Sequence, residues 1–303
     1  MPAPPTVSAP RAIKYDPHHW WTHLLDIRGG LLRAISARVF SAVAWSACVL
    51  LFHQHVHPVA LPATEHSLVG VAIGLLLVFR TNSSYDRFWE GRKLWGGIVN
   101  ETRNLVRVAG AVVADRELRQ RLAAWTAVYP WAVKRVLRGG GGDLGPAVSA
   151  LPSAEVAEVL VSGNTALAVA RRQSALLQEA KARGLVGEVL QAALDANVQQ
   201  LVDYLGGCER IHKTPLPFAY MVHLRRAVLL YCYSLPFVLV KDFGWATPAA
   251  MFFTAFVFFG IEEIGVEIED PFGTDDNDLP LDDICAAITT TLDEVEPFLP
   301  RED

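Results

Sequence analysis

FGWATPAAMFFTAFVFFGI, Phe243 to Ile261, is the one stretch of this chain that approaches by itself the length of a membrane crossing. It holds no charged residue, and ~20 apolar residues in a helix span the roughly 30 Å of hydrocarbon in a bilayer. Three shorter apolar segments accompany it. They are Val39 to Phe52, His66 to Phe79 (HSLVGVAIGLLLVF) and Ala227 to Val240 (AVLLYCYSLPFVLV). These three cross only with the help of polar flanks, snorkelling side chains or surrounding protein. Two buried hairpins of a soluble helical protein are therefore the alternative at this level.

Composition leans the same way without deciding. The 303 residues are 51% hydrophobic and 19% charged, with a mean hydropathy of +0.25. Soluble domains run at roughly 45–50% and about 25%. These values exclude a disordered chain, a collagen-like fibre and a disulfide-rich secreted scaffold. Cys48, Cys208, Cys232 and Cys285 are scattered without CxxC or Cys–His zinc spacing, which reads as free thiols in a reducing compartment. The Pro-rich N-terminus lacks the apolar run of a signal peptide, so insertion is expected through uncleaved internal helices.

Charge placement favours the membrane. Residues 1–38 carry five Lys or Arg, the 53–66 loop none and the 241–242 turn only Lys241, whereas residues 80–226 carry twenty. Cytoplasmic flanks of membrane helices are rich in Lys and Arg. Four spans with both termini and the long middle region in the cytoplasm account for that distribution. The net charge of −5 also conceals an asymmetry. Residues 262–303 hold fifteen Asp or Glu against Arg301 alone, while the first 261 residues hold 26 basic and 17 acidic side chains. Such a tail is either a solvated terminus or an acidic end that folds onto a basic surface, its own or a neighbouring subunit's.

The chain divides accordingly. A flexible tail (1–17) precedes an interfacial helix (18–38), where Trp20 and Trp21 suit the membrane boundary. Transmembrane helices 1 and 2 (39–80) lead to a cytosolic helical region (81–226). Transmembrane helices 3 and 4 (227–261) lead to an acidic cytosolic segment (262–303). In the middle region, Leu105, Val108, Val112, Leu122 and Trp125 recur at helical spacing from Asn100 to Arg138, and Pro130 is expected to kink or break that run. RGGGGDLGP (Arg138 to Pro146) lacks the Gly-Lys-Ser/Thr that ends a phosphate-binding loop, so it reads as a connection. Further helices are expected at Glu155–Leu160, Arg171–Gly184 and Leu185–Leu205. No β-alternation appears, and the fold class is all-α.

Three stretches carry the chemistry. Arg80 to Leu105 (RTNSSYDRFWEGRKLWGGIVNETRNL) mixes aromatic and charged residues directly after the second apolar segment, as any cytoplasmic helix end does. In His66 to Phe79, Leu68, Ala72 and Leu75 fall on one stripe with Val71 and Phe79 beside it, and Gly70 and Gly74 form a small-xxx-small pair. Such a helix either packs in a bundle or lines a pore whose apolar constriction gates by dewetting. Ile261 to Ile284 (IEEIGVEIEDPFGTDDNDLPLDDI) crowds Asp270, Asp275, Asp276 and Asp278 around a Pro-Phe-Gly turn. Clustered carboxylates suit a hard cation such as Ca2+, a helix N-cap or salt bridges. No GxSxG, HExxH or dinucleotide fingerprint occurs, so nothing nominates an enzyme reaction or a nucleic-acid partner.

Read together, these stretches resemble the bestrophin family, in its bacterial branch. The residues that carry the likeness are RTNSSYDRFWEGRKLWG (Arg80 to Gly96), GGCERIHKTPLPF (Gly206 to Phe218) and IEDPFGTDDNDLPLD (Ile268 to Asp282). They stand in the family's order, and the similarity runs from about His18 to Leu292. The resemblance implies a homopentameric ion channel with four transmembrane helices per subunit and both termini cytoplasmic, in the bacterial inner membrane. The second helix would line a hydrophobic neck at Leu68, Val71, Ala72 and Leu75, with Ala72 smaller than the family's usual bulky residue. A second constriction at the cytosolic exit falls near Leu185, at Val186 or Val189. Animal members bind Ca2+ through the acidic turn, where Asp275 and Asp278 match side-chain ligands and Asp270 replaces an Asn. The same carboxylates equally suit a clasp against an adjacent subunit. No cofactor is required. The expected cargo is chloride first and sodium or potassium second, with membrane lipid as a further partner. A cation channel of the same fold, or a non-conducting helical scaffold, is the alternative.

Overall fold

The computed structural model describes residues 30–299. In chain order its α-helices are α1 (Leu31–His55), α2 (Ala63–Val112), α3 (Arg116–Leu137), α4 (Ser153–Leu160) and α5 (Thr165–Ala182). They continue with α6 (Glu188–Lys213), α7 (Phe218–Phe243), α8 (Thr247–Glu267) and α9 (Leu281–Val295). Short 3-10 turns lie at Pro146–Ala150 and Gly244–Ala246, and no strand occurs among the described residues. The fold is all-α. The expected tail (1–17) and most of the interfacial helix (18–38) lie outside the described residues. Residues 31–38 belong to α1, which runs on without a break.

Three helical stretches are long and apolar enough to cross a membrane: Leu31–His55, Ala63–Val112 and Phe218–Glu267. The last is α7 and α8, divided at Gly244, whose φ of 48° lies in the left-handed region that glycine adopts without strain. α7 and α8 then pack against each other, and α1 lies along both. At the far end of α1, the Val59 amide donates to His53 Nδ1 (2.9 Å) and the Leu61 amide to the Phe237 carbonyl (2.9 Å).

α2 organises the molecule. It holds 50 residues, about 75 Å at 1.5 Å per residue, and it crosses position 80 without interruption, so the second apolar segment and the start of the middle region form one rod. Its first half buries Ile73 and Leu77 with Ile35 and Ala42 of α1, Cys232 of α7 and Met251 of α8. Its second half buries Trp95, Ile98 and Leu105 in a separate, larger core with Trp125 and Tyr129 of α3, Leu201 of α6 and Leu292 of α9. Burial lifts the Tyr129 hydroxyl far above the ordinary tyrosine range, and that hydroxyl donates to the Leu201 carbonyl (2.7 Å).

Several boundaries differ from the sequence reading: α5 begins at Thr165 rather than Arg171, and α6 runs on to Lys213 rather than Leu205. α3 continues through Pro130, which is buried within it; packing on every side of the helix outweighs the lost amide. The break falls instead at Val113–Asp115, where the backbone turns extended. There the Asp115 carboxylate accepts the Leu118 amide (2.9 Å) as an N-cap. That bond, followed by the Arg183 guanidinium, holds Asp115 below the usual carboxylate range. The helix expected from Leu185 begins at Glu188.

Candidate functional site

The apolar half of α2 has two unlike faces. Ile73, Leu77, Arg80 and Ser84 are buried. The opposite face is open: Leu68, Val71, Ala72 and Leu75 all lie on it. Phe79, four residues after Leu75, extends the same ridge; the sequence placed it beside the stripe but the expected neck did not include it. Val71, Leu75 and Phe79 stand at i, i+4 and i+8 and are 73%, 55% and 56% exposed, although each is large and apolar. The two glycines differ. A Cβ at Gly70 would sit 2.7 Å from the Tyr231 hydroxyl of α7, whereas Gly74 faces open space. Only Gly70 serves close helix packing within the chain.

Immediately below this ridge, buried charge separates the two cores. The Arg80 Nη1 donates to Glu262 Oε1 (3.0 Å), and Nη2 lies 3.7 Å from Glu269 Oε2. Glu262 also accepts from Arg225 (2.9 Å) and Arg38 (3.2 Å), and Arg38 reaches Glu263 (2.6 Å). Four helices, α1, α2, α7 and α8, thus meet in one ion-pair layer. The sequence reading had counted Arg38 and Arg225 only among the basic flanks, and Arg80 also as the head of the first motif stretch. Their counter-charges, Glu262 and Glu263, stood at the end of the fourth apolar segment as the available signal.

The three motif stretches converge about two turns further along, at Arg87. Arg87 donates to the carbonyls of Glu269 (3.0 Å), Ile211 (2.7 Å) and Thr214 (2.6 Å). This single side chain of α2 therefore fastens both the end of α6 and the turn after α8. His212 Nδ1 lies 3.0 Å from Asp270 Oδ2. At Gly91 a Cβ would come within 2.8 Å of Pro271 and 3.1 Å of Phe272, so glycine is what lets the Pro-Phe-Gly turn rest on the helix.

The acidic segment folds onto its own chain. Asp282 receives Lys134 Nζ (2.6 Å) and Arg138 Nη1 (2.9 Å), and Glu296 receives Arg119 Nε (2.9 Å). Burial alone would raise the pKa of Asp282, but its two cationic partners outweigh that and hold it low. Of the three carboxylates singled out as a Ca2+ site or clasp, Asp270 is engaged with His212 and Asp275 is exposed. Asp278 is buried and accepts the Asp275 amide through Oδ2 (2.7 Å), while its Oδ1 has no partner. Among the described residues no group of three or more His, Cys, Asp or Glu side chains is arranged to hold a metal ion. Burial, with Asp275 and Asp270 nearby, pushes Asp278 up to about 7.

Val186 is buried in the core of the middle region, just before α6. Val189 lies on the first turn of α6 and is exposed. A surface constriction on this segment thus has Val189 as its available side chain.

Residues 12–294 match the family model described as bacterial and fungal bestrophin protein. A voltage-dependent anion channel-forming protein of Nostoc sp. is 38% identical, over 93% of this chain and 94% of its own. One of Ralstonia nicotianae is 37% identical, over 94% and 96%. Among solved structures, a bacterial bestrophin homologue from Klebsiella pneumoniae superposes with a TM-score of 0.81 at 31% identity, covering 88% of this chain and 100% of that one.

Proposed function

The chain belongs to the bacterial and fungal bestrophin family, and on that premise we propose that it is an anion channel of the cell membrane rather than an enzyme. Five copies surround a central pore, each contributing four membrane crossings, α1, the first half of α2, α7 and α8. The excess of Lys and Arg in the middle region over the 53–66 loop supports a topology with that region and both termini in the cytoplasm. Chloride is the first expected cargo. Relatives that match over nearly their whole length are named anion channel-forming proteins.

The observation that carries the reading is the open ridge of α2. Val71, Leu75 and Phe79 project from a helix whose other face is buried against α1, α7 and α8. Arranged around an axis, five such ridges form an apolar neck whose hydration decides whether ions pass. The ion-pair layer at Arg80 then holds each ridge in position from behind.

Reconstitution tests this. Purified protein in liposomes loaded with chloride should release the anion on dilution, and the detergent-solubilised particle should have the mass of five chains. Release no faster than from empty liposomes would exclude the channel. A monomeric particle would exclude the central neck.

A further inference from the structure

The open face of α2 does not end with the apolar ridge. Counting in sevens from Phe79 gives Asp86, Lys93, Asn100 and Arg107, and all five are exposed. On an α-helix this series drifts only about 20° per step, so it stays within one open sector. Several charges on the other faces of the same helix are occupied, Arg80 with Glu262, Arg87 with three carbonyls and Glu90 with Arg210, although Arg92, Glu101 and Arg103 are not. Asp86, Lys93 and Arg107 form no ion pair with any described residue. The folding of the chain therefore makes no use of these charges.

We infer that Asp86 and Lys93 are the residues that set the channel's preference between anions and cations, Asp86 opposing anion passage and Lys93 favouring it. The inference rests on the central-pore reading above. An apolar neck is indifferent to the sign of an ion, so discrimination falls to the first charges met beyond it. Asp86 lies about 10 Å below Phe79, and Lys93 about as far again. Fivefold repetition makes each a ring, and the Asp86 ring follows the end of the ridge along the helix by about one Debye length. Arg107 and the neighbouring exposed Arg103 add positive charge deeper in. The sector as a whole is positive, and Asp86 is the exception placed closest to the neck.

Neither side chain has a partner to lose, so Asp86→Asn and Lys93→Gln leave the fold intact. Reversal potentials of the full-length channel under a KCl gradient should move in opposite directions. Asp86→Asn should raise the chloride-to-potassium permeability ratio about 2- to 10-fold, and Lys93→Gln should lower it by a similar factor. Asp86→Glu should leave it unchanged. If wild type conducts and neither neutralisation moves the reversal potential, the assignment fails while the channel reading stands. If wild type passes no ion at all, both fail together.

Discussion

Arg80 of α2 and Glu262 of α8 meet at 3.0 Å with their side chains 1% and 4% exposed, at the level where the membrane-type core gives way to the larger one. A charge so placed is stabilised only by its partner. Glu262→Ala leaves Arg80 with Glu269 alone, 3.7 Å away. A loss of about 3–5 kcal/mol is expected, read as a lower melting temperature and a smaller folded fraction in detergent. Removing Arg38, whose side chain is far more exposed than that of Arg80 (42% against 1%), should cost no more than about 1 kcal/mol. Equal losses in the two variants would show that the layer is not organised around Arg80.

Trimming the open ridge should act on current and not on folding. Leu75→Ala and Phe79→Ala remove apolar bulk that is more than half exposed, so conductance should rise severalfold with little change in melting temperature. Unchanged current in both would place the neck elsewhere on the chain.

Gly91 gives a test of the junction between α2 and the turn after α8. A methyl group there would press on Pro271 and Phe272, and overpacking of this kind costs about 1–3 kcal/mol. Gly206 on α6 has open space around it, so Gly206→Ala should instead stabilise by up to about 1 kcal/mol through helix propensity. Thermal melts of both variants decide the comparison.

Asp278 makes stability depend on pH. Its folded pKa is about 7 against an ordinary 3.8. Between those values the folded chain keeps a proton that the unfolded chain releases, so stability falls as pH rises through that window. Melting temperature should drop by at least ~2–4 °C from pH 5.5 to 8, and Asp278→Asn should flatten that slope. The same slope in the variant would assign the effect to another group.

Much of this was legible before any coordinates. Apolar runs placed α1, α7 and α8, and the lopsided charge of residues 262–303 left a solvated terminus and a fold-back onto basic partners both open, of which Asp282 with Lys134 and Arg138 realises the second. The three motif stretches were chosen for their likeness to a family, and Arg87 shows that they are also one physical junction. What stayed hidden depended on partners far away in sequence. Arg80 and Glu262 are separated by 182 residues, and neither announces its burial locally. Phe79 stood beside the stripe in the sequence but outside the expected neck, which the family resemblance set at Leu68, Val71, Ala72 and Leu75. Only its open face on α2 aligns it with Leu75. Pro130 misled because local propensity yields to packing on all sides.

The reversal potential of the wild-type protein in a planar bilayer, under a KCl gradient, tests the central claim most directly. An anion channel shifts it toward the chloride equilibrium potential, and that is the expected result. A shift toward the potassium potential, or no current above the bare membrane, would contradict the account.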